Sequence, residues 1–143
     1  MNKSSIIAAL LILGGCQGAE DKQTVPGTAA QGYEGIGAEE TIHFTGTEPF
    51  WGGTIRGTSL TYTTPDNQEG LMFEVARFKG QGGLGFSGNL DGRMFDLLIT
   101  EGRCSDGMSD RTYPLVATLK LDGEVREGCA YSDRRPFEGP EKP

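Results

Sequence analysis

Two Asp-Gly dipeptides constrain this chain more than any other feature. Asp91-Gly92 and Asp122-Gly123 each lie between runs rich in apolar and β-branched residues. A two-residue Asp-Gly connection favours the hairpin turn whose twist matches that of its flanking strands. Pairing across Asp91-Gly92 sets Phe95 opposite Gly88, Leu97 opposite Phe86 and Ile99 opposite Leu84, all on one face. Gly88 leaves room there for a ring. Ser87 and Asp96 then meet on the other face. A slip of one residue would turn the whole apolar set to solvent, so this register is strongly specified. Across Asp122-Gly123, Leu121 meets Glu124, Leu119 meets Arg126, Ala117 meets Gly128 and Val116 meets Cys129. The faces here are mixed, which leaves open a shifted pairing or a bulge.

The same pattern of short strands and turn residues runs on from Thr41. Strands are predicted over 41–46, 51–56, 59–64, 70–78, 84–90, 93–100, 112–121 and 124–130. This spacing implies an all-β fold, a small antiparallel barrel of about eight strands, over residues 41–130. The chain holds 23 Gly and 7 Pro in 143 residues, a share that opposes a helical bundle. No window carries a sustained helical period, although a helical turn fits within 101–111. Residues 131–143, with three Pro and many charges, read as a flexible tail. Gly80, Gly82 and Gly85 match G-x-G-x-x-G, but a strand follows where a dinucleotide site needs a helix. A net charge of −7 opposes nucleic-acid binding, and a single His argues against His-dependent metal sites and Ser-His-Asp chemistry. No cofactor and no metal are expected.

The N-terminal segment is an address. Lys3 precedes the apolar run Ile6–Leu13, which is too short to cross a bilayer (~20 residues) and suits a signal peptide spanning 1–15. Leu13-Gly14-Gly15-Cys16 resembles the lipobox of bacterial lipoproteins. That resemblance implies cleavage after Gly15 and a lipid, palmitate included, on Cys16. Several acyl chains anchor firmly where one would be marginal. The alternative is an ordinary secretory signal with an incidental Cys. Gln17 in place of Asp points to the outer membrane, facing the periplasm. Residues 17–40 are small, polar and acidic. With Cys16 they read as a disordered tether, able to reach ~25–30 Å as a flexible coil.

With Cys16 assigned to lipid, Cys104 and Cys129 remain as an even pair in an oxidising compartment. A bridge between them would pin the loop that starts at Cys104. The alternative is two free structural thiols.

Two clusters carry the candidate binding chemistry. The first is Glu48-Pro49-Phe50-Trp51, with the only Trp. It reads either as an aromatic binding surface or as a structural plug, with Phe50 and Trp51 closing one end of the barrel and Glu48 accepting hydrogen bonds. The second runs from Cys104 to Tyr113 and holds Ser105, Asp106, Asp110 and Arg111. An enzyme would use Asp106 or Asp110 as a general base and Arg111 as an anion clamp. A calcium site would use the carboxylates and loop carbonyls. Alternatively Ser and Asp cap the turns of the loop by accepting from backbone N–H groups. His43 alternates with Ile42 and Phe44 and reads as a surface or rim residue.

Glu48–Trp51, the block Cys104-Ser105-Asp106-Gly107-Met108-Ser109-Asp110-Arg111-Thr112-Tyr113-Pro114 and the closing Gly128-Cys129-Ala130 together resemble a family of bacterial envelope proteins, often lipoproteins. The resemblance covers residues from about 44 to 130. Members look like META-type heat-shock lipoprotein domains and membrane-bound inhibitors of c-type lysozyme, both small antiparallel β-structures. The family has no established activity, so the resemblance implies fold and location, and fold does not fix function. The expected function is a lipid-anchored, non-catalytic envelope module that binds a partner or ligand. One alternative is a lysozyme-inhibitor-like protein whose acidic surface meets a basic partner such as lysozyme. The other is an envelope enzyme using the 104–111 loop.

Overall fold

A computed structural model describes residues 32–140. The expected signal peptide, Cys16, residues 17–31 of the expected tether and the last three residues lie outside them. Eight strands form one closed antiparallel barrel: β1 (Ile42–Thr47), β2 (Phe50–Arg56), β3 (Ser59–Thr64), β4 (Asn67–Lys79), β5 (Gly83–Leu90), β6 (Arg93–Cys104), β7 (Tyr113–Leu121) and β8 (Glu124–Ser132). Each strand pairs with its sequence neighbours, and β8 returns to β1 through Ile42 opposite Ser132 and Thr45 opposite Cys129. Closure removes the unpaired edges that an open sheet would expose. No helix occurs among the described residues; residues 105–111 form an irregular loop.

Both Asp-Gly turns are present, with positive φ at Asp91, Gly92, Asp122 and Gly123. The register across Asp91-Gly92 is the one the alternation requires, Gly88 opposite Phe95 and Phe86 opposite Leu97. Ser87 donates to Asp96 at 2.6 Å on the outer face. The space at Gly88 is filled by Val75 and the edge of Phe73, and Phe73 meets Phe95 edge-on at 5.1 Å. The second hairpin pairs without a shift, from Leu115 opposite Ala130 to Leu121 opposite Glu124. Its mixed face is explained by Arg126, whose guanidinium reaches the Tyr62 hydroxyl at 3.4 Å and Glu124 at 2.9 Å. The one shift near this hairpin lies on its other side, between Glu101 and Cys104 in the β6–β7 pairing.

The barrel interior is filled by side chains, including Ile42, Leu60, Leu84, Phe86, Phe95, Leu97, Ile99 and Leu115, each nearly or fully buried. Small barrels of this strand number close over their own side chains in this way.

The structure corrects two expected boundaries. The tether does not extend to residue 40: Tyr33, Ile36 and Glu40 are buried. The backbone N–H of Tyr33 donates to the Gly80 carbonyl at 2.7 Å, and the Arg77 guanidinium donates to the Ile36 carbonyl at 3.1 Å. Nor does a flexible tail begin at residue 131. Strand β8 runs to Ser132, and residues 133–138 fold back through bridges of Arg135 to Ser132 and Glu138 to Thr112. The two segments lock together. Tyr33 donates to Glu101 at 2.7 Å, and Arg135 donates to both Tyr33 and Glu101 at 2.8 Å. Ser132 Oγ donates to buried Glu40, whose other oxygen accepts from the Gly37 N–H. Burial opposes the Glu40 charge, but these hydrogen bonds and Arg134 hold its carboxyl below the usual range. A polar sequence concealed this contribution because a single Tyr or Ile shows no periodicity.

Candidate functional site

Cys104 and Cys129 form a disulfide, with Cα atoms 5.5 Å apart. Cys129 lies on β8 opposite Val116, on the face turned away from the packed interior. The bridge therefore draws the end of β6, and the loop after it, onto the outside of the barrel. There the loop meets β1 and the start of β2.

Asp106 organises this loop. One carboxylate oxygen accepts from the backbone N–H groups of Met108 at 3.0 Å and Ser109 at 2.8 Å. The other accepts from Ser109 Oγ at 2.7 Å and the Tyr113 hydroxyl at 3.2 Å. Ser105 Oγ accepts from the Gly107 N–H at 3.2 Å. Partial burial opposes the Asp106 charge, yet the four donated hydrogen bonds win and hold its pKa at about 2 against an ordinary 3.8. A carboxylate so held is a poor proton acceptor near neutral pH.

A lowered carboxylate pKa makes stability pH-dependent in a fixed sense. The contribution of Asp106 is complete above pH 4 to 5 and is lost as the pH falls toward 2. It amounts to about 2 kcal/mol at most, less whatever solvent screening removes at this part-exposed loop. Asp106→Asn is therefore expected to lower the melting temperature at pH 7 and to flatten its fall between pH 5 and 2. Melting curves that stay parallel for the two proteins across that range would contradict this role.

Arg111 is also engaged. Its Nε donates to the Pro140 carbonyl at 2.8 Å, and its guanidinium lies 4.4 Å above the Phe137 ring. Phe137 packs against Tyr113 and Tyr131 at 5.7 and 5.1 Å, and Tyr131 stacks on His43 at 4.7 Å. His43 is thus half-buried under an aromatic cluster. Sequence reading missed this cluster because Tyr131 and Phe137 fell in the supposed tail. Asp110 is exposed.

The Phe50-Trp51 pair divides, because successive residues of a strand point to opposite faces. Trp51 is buried and closes the barrel over Gly46 and Gly128, with its indole N–H unpartnered. Phe50 is 52 % exposed. The plug reading therefore holds for Trp51 and is corrected for Phe50. Glu48 is exposed and makes no hydrogen bond among the described residues, since the turn before β2 carries it outward.

The two sequence clusters converge. One cleft of about 390 Å³ is lined by Phe50 from the first and by Asp106, Met108, Ser109, Arg111 and Tyr113 from the second. His43, Thr45, Thr47 and Tyr131 also line it, with Phe44 and Gly53. A second depression of about 350 Å³ shares Phe50 as a wall and is lined by Trp51, Thr63, Thr64, Pro65 and Gln68 among others. No group of three or more His, Cys, Asp or Glu among the described residues has the arrangement of a metal site.

The chain is thus a closed eight-stranded antiparallel barrel with a disulfide-held loop folded against its side and an aromatic cleft beside that loop. No family model, curated protein or solved structure matches it.

Proposed function

We propose that this protein is a lipid-anchored module of the bacterial cell envelope, facing the periplasm from the outer membrane, that binds a partner or ligand without catalysing a reaction. It takes the cleft beside the 104–111 loop as its binding site. The observation that supports this reading is the convergence of Phe50 with Asp106, Met108 and Tyr113 on one cleft, although the two motifs lie far apart in sequence. Asp106 serves as the scaffold of the loop in this reading, and not as a general base. Membership of the envelope-protein family whose motifs the chain resembles is part of the same proposal.

The anchor rests on Leu13-Gly14-Gly15-Cys16. Labelled palmitate is expected to enter the protein in cells, and Cys16→Ser is expected to abolish incorporation. Labelling that survives the substitution would refute a lipid on Cys16.

A second reading, inhibition of a basic lysozyme, is favoured by the exposed acidic residues Glu48, Asp110 and Glu127 and by a net charge of −7. Adding the purified protein to a c-type lysozyme assay tests it. Unchanged lysis at micromolar protein removes this reading and leaves the first in place.

A further inference from the structure

We infer that the cleft around Phe50 binds a carbohydrate, a neutral glycan at least two rings long laid across the Phe50 side chain. This rests on the binding-module reading above and gives its ligand a chemical class.

The charged groups of the cleft are already committed. Both oxygens of Asp106 accept hydrogen bonds from the loop. Arg111 holds the Pro140 carbonyl and covers Phe137. His43 stacks on Tyr131 and sits 3.4 Å from Asp133. An ionic ligand would have to break these contacts.

The uncommitted chemistry is neutral. The side chains of Thr45, Thr47, Thr63, Thr64, Gln68 and Tyr131 line the two depressions and make no hydrogen bond among the described residues. Hydroxyl and amide groups both donate and accept. Phe50, 52 % exposed, lines both depressions, and Met108, 65 % exposed, lines the larger. A pyranose ring has an apolar C–H face and a rim of hydroxyls. It can cover an exposed aromatic ring while its rim meets side-chain hydroxyls on either side. The depressions, of about 390 and 350 Å³, are each at the lower end of the range for small-molecule sites. That is room for one ring in each, with Phe50 lining both.

Two other occupants fit less well. An extended peptide commonly adds a strand to an open sheet edge, and a closed barrel offers none. An acyl chain needs an apolar chamber, and here Phe86, Phe95, Leu97, Ile99 and Leu115 fill the interior.

The only Trp, Trp51, lines the 350 Å³ depression and reports on its occupancy. The experiment uses the full chain, purified in a detergent without a sugar headgroup. The probes are the neutral oligosaccharides chitotetraose, cellotetraose and maltotetraose, titrated with fluorescence and calorimetry. At least one is expected to give a saturable signal with Kd on the order of 0.1 mM. Phe50→Ala is expected to weaken it at least tenfold and Thr47→Val several-fold, with melting temperatures near that of the unsubstituted protein. Leu98→Ala, on the far outer face, should leave binding unchanged. No saturable response to any probe up to ~10 mM overturns the proposal, as does a response that Phe50→Ala and Thr47→Val both leave intact. Absent sugar binding with palmitate incorporation intact overturns the glycan assignment alone. Sugar binding without palmitate incorporation overturns the anchor alone.

Discussion

Replacing Cys104 and Cys129 together by alanine is expected to lower the unfolding free energy by about 3.5 kcal/mol, the chain-entropy value for a bridge across 25 residues. The bridge spans all of β7, and it is the covalent tie between the end of β6 and β8. Without it the unfolded chain regains its freedom, while the folded barrel keeps its β6–β7 and β7–β8 ladders. The barrel should therefore still form, with its loop loosened from β8. Urea denaturation of the oxidised protein and the double variant measures the difference directly. A loss below about 1 kcal/mol would show that the bridge is incidental to stability. Loosening the loop should also expose the Met108 and Ser109 amides to faster hydrogen exchange, since Asp106 would lose its position beside them.

The second large effect is expected at Gly128. A Cβ there would fall on the Thr45 carbonyl oxygen of β1 and lie 3.0 Å from Trp51 Cζ2. The first contact is with backbone and cannot be relieved by a rotamer change. Gly128→Ala must therefore push β1 from β8 near the end of their ladder, where Thr45 opposes Cys129. The neighbouring interior is tightly packed, so the cost is expected to be about 3 kcal/mol. In a domain of this size that is a fall in Tm on the order of 10–15 °C. Gly82→Ala is the matched control, because a Cβ at Gly82 meets nothing within 4 Å. Equal thermal stability of the two variants would mean that the β1–β8 closure is looser than its geometry implies.

Much of the fold was legible because its signals are local. Asp91-Gly92 and Asp122-Gly123 each encode a turn, and the turn sets the register of the strands it joins. Phe95 opposite Gly88, and Val116 opposite Cys129, follow from counting outward. The segments at either end were misread for the opposite reason. Tyr33, Ile36 and Phe137 stand singly among polar and charged residues. Their value arises only from the partners brought to them, Glu101 and Arg135 for Tyr33, and Tyr113 and Tyr131 for Phe137. The candidate site was half legible. Asp106 stood out as a residue able to accept from backbone N–H groups, but its capture of the Tyr113 hydroxyl depends on where β7 begins.

Taken alone, the sequence determined the β class of the fold, its two Asp-Gly turns and the register across Asp91-Gly92, and it left open the second register and the state of the two downstream cysteines. Each of the determined features follows from nearest-neighbour chemistry. Only the tertiary structure decided that β8 closes on β1 and that the 104–111 loop lies along the outside of that seam. Closure is a contact between the two ends of the folded chain, and no short window of residues encodes it. It turns Trp51 inward over Gly46 and Gly128, leaves Phe50 outward, and sets that exposed ring beside Met108 and Tyr131.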